Sequence, residues 1–147
     1  MLGIGTSTIN NRGLDALSNT LLEENSHLQQ LYIENNQHFG DGGVTRLSPG
    51  IKQSTFIKKL VLTETNIGDE GASQLAAVLK ENRSLQVLGL GKNCISSKGF
   101  ISILEVLFTP GHRFFVGVLT LQPSCLQLAR HLNYIVFLFI SAVLIEP

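Results

Sequence analysis

The apolar positions of this chain recur in a fixed order. Leu85, Leu88 and Leu90 are followed by Asn93, Ile95 and Gly99. Stepping back 28 residues, Ile57, Leu60, Leu62, Thr65, Ile67 and Gly71 hold the same offsets, with Thr65 replacing the asparagine. A further 29 residues back stand Leu28, Leu31, Ile33 and Asn36. One inserted residue then moves Phe39 and Gly43 into the isoleucine and glycine places. A shortened first copy runs through Leu2, Ile4, Ile9, Gly13 and Leu17. Behind each glycine come apolar residues at helical spacing, such as Leu75 and Leu79, Leu17 and Leu21, or Leu47 and Ile51, and then a polar return loop. Alternation followed by a helical period predicts one short strand, a turn, a helix and a loop per unit.

Each position has a physical reading. Alternate strand side chains face opposite sides. Leu31 and Ile33, Leu60 and Leu62, and Leu88 and Leu90 are therefore expected to point between sheet and helices. An amide at Asn36 and Asn93, where the chain leaves the strand, suits the backbone groups that a buried bend leaves unpaired. Gly71 and Gly99 are expected at close backbone contacts near the helix starts. Pro49 falls inside the second helical segment and predicts a shortened or broken helix, since proline lacks an N–H and disfavours helix before it. One unit cannot bury its own apolar face, so several must stack.

This repeat resembles the ribonuclease-inhibitor-like class of leucine-rich repeats, which alternates strand and helix with a period of about 28 residues. Similar repeats occur in the sensor regions of NOD-like receptors and in the Ran GTPase-activating protein. The resemblance covers roughly residues 2–108. It implies an α/β solenoid of about three to four repeats, with parallel strands on a concave face and helices on the convex one. It also implies a non-enzymatic module that binds a protein partner, as part of a larger sensor or scaffold. The alternative it suggests is regulation of a small GTPase. That alternative rests on fold analogy.

Composition divides the chain. Lys and Arg together number 11, as do Asp and Glu, for a net charge of +0, which gives no electrostatic case for nucleic acid. Residues 101–147 hold only Glu105, Arg113, Arg130 and Glu146 among charged side chains. The expected division is a solenoid over 1–108 and a degenerate repeat or hydrophobic tail over 109–147. The apolar stretch 132–145 is shorter than the roughly 20 residues of a spanning helix. It reads first as a cap on the stack; membrane contact and non-repeat read-through are the alternatives. No secretory signal is visible, and a cytoplasmic location is expected. The first strand begins at Leu2 without a polar capping unit, as a truncated solenoid would.

No chemistry-bearing motif competes with the repeat. Gly91-Lys92-Asn93 lacks the spacing of a phosphate loop. His27, His38, His112 and His131 share no ligand spacing, and no metal or cofactor is expected. Cys94 and Cys125 read as small buried hydrophobes. Asp41 and Asp69 read as helix caps. Asn82-Arg83-Ser84 is a formal glycosylation sequon, expected to stay unmodified. The candidate binding residues are the outward strand positions: Gln30, Lys59 and Val87; Tyr32 and Val61, in line with Gly89; and Glu34 and Thr63, in line with Gly91. Tyr32 is the expected anchor, because a ring gives large contact area at low entropy cost. Lys58, Lys59, Glu34 and Glu64 are expected to add charge complementarity.

Overall fold

A computed structural model describes residues 1–5, 9–23 and 27–107. Four strand–helix units follow one another: β1 (Leu2–Gly5), α1 (Asn11–Leu22), β2 (Gln30–Glu34), α2 (Gly40–Gln53), β3 (Lys59–Val61), α3 (Asp69–Glu81), β4 (Val87–Gly89) and α4 (Ser97–Leu107). The strands form one parallel sheet in the order β1-β2-β3-β4. Its register carries the sequence offsets directly: Leu2 beside Leu31, Leu31 beside Leu60, and Leu60 beside Leu88. Each helix packs on the next helix, and each strand on the next strand. Residues 108–147, with the expected tail and its apolar stretch 132–145, lie outside the described residues.

The inward leucines and isoleucines do what alternation requires. Leu31, Ile33, Leu60, Leu62, Leu88 and Leu90 are all buried, and they join Leu14, Leu47, Ile51, Leu75, Leu79 and Ile103 from the helices in one core. Each of the later units adds an aliphatic or aromatic residue four places before a glycine. Phe39 lies over Gly43, where an added Cβ would sit 2.6 Å from the ring, and Ile67 lies over Gly71 at 2.8 Å from the same position. The glycines thus make room rather than turn the chain. Phe39 fills the isoleucine place despite the insertion ahead of it and is buried.

Two sets of amides tie the units together. Asn36 Nδ2 donates to the Ile4 carbonyl at 2.8 Å and to its own strand at Glu34. Asn93 Nδ2 donates to the Leu62 carbonyl, while its Oδ1 accepts from the backbone N–H of Thr65 and of Ile67, both at 3.0 Å. At the other end of the unit, Asn82 Nδ2 donates to the carbonyls of Ile51 and Ser54, and its Oδ1 accepts from Ser84 and Leu85 N–H. The sequon is therefore a buried structural amide: Asn82 is 1% exposed.

Two expectations fail here. Pro49 does not break its helix; α2 runs from Gly40 to Gln53 with the proline inside. The ring points to solvent, while Leu47, Gly50 and Ile51 are buried and hold both sides of the missing hydrogen bond in place. Cys94 is not buried. It is exposed, and its Sγ lies 3.3 Å from Asn66 Oδ1. Its neighbour Ile95 takes the inward place, so a one-residue step turns the thiol outward. Cys125 lies outside the described residues.

Candidate functional site

Among the described residues, the sheet has one face against the helices and one face without them. On the helix-free face the outward residues fall into rows set by register. Gln30 pairs with Lys59 and Lys59 with Val87; Tyr32 pairs with Val61 and Val61 with Gly89. Three of these side chains interact. The Tyr32 hydroxyl donates to Gln30 Oε1 at 3.2 Å. The Lys59 ammonium stands 5.1 Å from the centre of the Tyr32 ring, on its face. A cation within about 6 Å of a ring is attracted by its quadrupole. Gln30, Tyr32 and Lys59 are each half-buried, so the cluster is held yet reachable.

The other expected residues divide. Glu34, Thr63 and Val87 are half-buried on the same face. Val61 departs from the expectation of an open binding position: it is only 9% exposed. It points away from the main core but is closed in by its neighbours. Tyr32 stands on one side, and on the other its Cγ1 lies 3.1 Å from where a side chain on Gly89 would begin. It is a floor under the face rather than a contact on it. Glu64 is committed elsewhere, in an ion pair with Lys92. That carboxylate raises the Lys92 pKa above its ordinary value, chiefly through the hydrogen bond. Lys58 lies just before β3 and is half-buried.

At the strand exits, Asn35, Glu64 and Lys92 take left-handed backbone at φ 55°, 57° and 54°. They occupy equivalent places in successive units. Sequence reading passed over this column, because no glycine marks it.

The aspartates cap helices, but not their own. Asp41, at the start of α2, accepts from the Gly68 N–H at the start of α3 through Oδ1 at 2.7 Å. Asp69, at the start of α3, accepts from Ser96 and Gly99 N–H at the start of α4. The Ser96 hydroxyl also donates to Asp69, at 2.6 Å. These bonds, the hydroxyl first, lower the Asp69 pKa below the ordinary carboxylate value. Gly71 and Gly99 are the glycines this arrangement requires; a Cβ on Gly99 would sit 2.6 Å from Asp69 Oδ1. The capping role was legible in sequence, whereas its direction, from one unit to the next, was not.

Comparison with known proteins agrees with this geometry. Residues 24–48, 53–76 and 81–104 match the leucine-rich-repeat family. Ribonuclease inhibitor of Sus scrofa is 35% identical over 92 residues, covering 62% of this chain and 20% of that protein. Tropomodulin-4 of Homo sapiens is 28% identical over 98 residues, covering 67% and 28% respectively. The chain thus spans between a fifth and three tenths of the length of these relatives. Among solved structures, leiomodin-1 actin-binding site 2 superposes with a TM-score of 0.64 at 17% identity, covering 95% of this chain and 89% of that one. The tropomodulin C-terminal domain of Caenorhabditis elegans gives 0.57 at 24% identity, covering 63% and 56%. At such identities the superpositions speak for the fold alone. Residues 24–48, 53–76 and 81–104 accordingly match leucine-rich repeats and are similar to those of ribonuclease inhibitor.

Proposed function

We propose that this chain is a non-enzymatic protein-binding module that docks a protein partner on the helix-free, concave face of its sheet, as part of a larger sensor or scaffold. The observation that carries the reading is the Gln30–Tyr32–Lys59 cluster. It presents an aromatic side chain, fixed by a hydrogen bond and a cation, on the face that bears no helix. An ordered aromatic loses little entropy when a partner covers it. The likenesses support the class of function. One neighbour is by its name an actin-binding site, and one relative is by its name an inhibitor of a ribonuclease. A NOD-like origin rests on the resemblance of the repeats, and regulation of a small GTPase rests on fold analogy. The cytoplasm is the expected location. Among the described residues, no helix is long and apolar enough to cross a membrane.

The test is capture by the immobilised full chain, compared with Tyr32→Ala and Lys59→Glu. A partner retained by the parent and lost by both variants supports docking on this face. Retention unchanged in both variants removes the face from the reading, and a GTPase panel whose hydrolysis rates stay flat removes the alternative.

A further inference from the structure

We propose that the Gln30–Tyr32–Lys59 cluster is a receptor for one carboxylate, an Asp or Glu side chain of the partner set in an otherwise uncharged segment. This rests on the docking face argued above and adds what that face reads.

Hydrogen-bonding capacity makes the first argument. An ammonium has three donors and no acceptor, and an amide has two donors and one acceptor oxygen. The Tyr32 ring holds the Lys59 ammonium without taking a hydrogen bond from it in the manner of a carboxylate. The Tyr32 hydroxyl occupies the Gln30 oxygen, which turns the amide NH2 the other way. Gln30 and Lys59 are direct partners in register, so their side chains rise side by side from adjacent strands. The row continues in Val87, and the next row holds Val61 and Gly89, none of which offers a side-chain acceptor. Donors from two adjacent strands thus stand in one row, beside an apolar floor.

Charge makes the second argument. The described ion pairs are Arg46–Asp15, Lys52–Glu81 and Lys92–Glu64. Among the described residues no carboxylate pairs with Lys59. The nearest acidic side chain along its face is Glu34, four residues beyond Gln30 on the same strand. The Lys59 ammonium stands over Tyr32, only two residues from Glu34, or about 7 Å along the strand, which is within a Debye length of about 8 Å. Glu34 therefore disfavours a second carboxylate placed further along the face, so the segment that brings the first is otherwise uncharged. A phosphate backbone fits less well, because nucleic-acid affinity comes from many neutralised phosphates, and among the described residues the outward positions of this face carry a single cation, Lys59.

The experiment is selection of phage-displayed random peptides on the immobilised full chain. Selected peptides are then remade with each Asp changed to Asn and each Glu to Gln. Binding is measured to the parent chain, Tyr32→Ala, Lys59→Met and Lys59→Glu, each shown by circular dichroism to be folded. The expected result is one carboxylate per peptide whose neutralisation weakens binding about tenfold, the order of a well-placed charge pair. Lys59→Met should cost the same, and the two changes together little more. Reselection on Lys59→Glu should return Lys or Arg at that position. Peptides that need Tyr32 but ignore both the carboxylate and Lys59 overturn the carboxylate site and leave the docking face standing. Peptides indifferent to all three variants, or no peptides at all, overturn both. A single-stranded oligonucleotide that binds more tightly than any peptide, and is lost with Lys59→Met, overturns the carboxylate in favour of phosphate.

Discussion

Asn93 concentrates the logic of the repeat in one side chain. Its oxygen takes the N–H groups of Thr65 and Ile67, and its amide hydrogens go to the carbonyls of Leu62 and Leu90. All of this happens at 3% exposure. Truncation to alanine orphans several buried backbone groups at once, each costing about 1–3 kcal/mol. Partial relaxation and entering water reduce the sum, so Asn93→Ala should lower unfolding free energy by about 3 kcal/mol, against a domain total of about 5–15 kcal/mol. Urea titration with an unchanged m-value would measure it. Thr65→Ala, whose one hydroxyl hydrogen is shared between the Leu62 carbonyl and Asn93 Oδ1, should cost about 1 kcal/mol. Equal losses from the two would show that the amide is not the tie between units. The importance of Asn93 was legible because it recurs in register with Asn36. That of Asn82 was not. Its equivalent one unit earlier is Ser54, whose hydroxyl accepts from Phe56 and Ile57 N–H. Asn25 stands two units before Asn82 just as Asn36 does before Asn93, so the recurrence is present in the sequence; the place of Asn82 in a polar return loop is what hides its burial.

At the scale of an element, α2 shows what packing overrides. The proline inside it removes one backbone hydrogen bond, a fault worth about 3 kcal/mol in an isolated helix. Gly50, the next residue, is where α2 presses on α1. Its N–H donates to Ser18 Oγ at 3.0 Å. A Cβ there would lie 2.8 Å from Ser18 Cα and 2.9 Å from its carbonyl carbon. Backbone cannot swing aside as a side chain can, so the helices would have to part. Overpacking of this kind costs about 1–3 kcal/mol, while Gly to Ala in a helix gains up to about 1 kcal/mol. Gly50→Ala should therefore destabilise by about 1–2 kcal/mol. Gly42, in the same helix, has nothing within 4 Å of its absent Cβ, and Gly42→Ala should stabilise slightly. Opposite shifts of Tm in the two variants would confirm this; a rise in both would show that α1 yields. Proline and glycine are helix breakers in sequence, so local propensity alone predicts a shortened or broken α2. Close approach between helices is a tertiary fact that propensity does not contain. The same holds at Val61, placed on the correct face by alternation but closed in by Tyr32 and Gly89, and at Cys94, turned outward beside an inward Ile95.

The whole described molecule is a line of neighbours. Among the described residues each helix neighbours the next helix in order and each strand the next strand, with no pairing of elements that skips a unit. Stability in such an array is a sum of unit terms and nearest-neighbour terms, so position along the array matters as much as local burial. Leu14 and Leu60 are both almost wholly buried, but Leu14 belongs to the first described unit and Leu60 to the third. Removing either side chain to alanine deletes similar contacts, at about 2–5 kcal/mol locally. At Leu14 the loss can be confined: β1 and α1 detach while the stack from β2 onward keeps its own neighbours. At Leu60 no such escape exists, because β3 joins β2 to β4 and its failure breaks both junctions. Amide hydrogen exchange should separate the cases. Leu14→Ala should lose protection in residues 9–23 while β2, β3 and β4 stay near the parent's rates. Leu60→Ala should accelerate exchange in all four strands together. The Gln30–Tyr32–Lys59 cluster draws its first two residues from β2 and Lys59 from β3, so it should survive the first substitution and not the second. Uniform acceleration in both variants would mean that the units unfold as one block, and that the cluster's geometry depends on the entire array rather than on the β2–β3 junction.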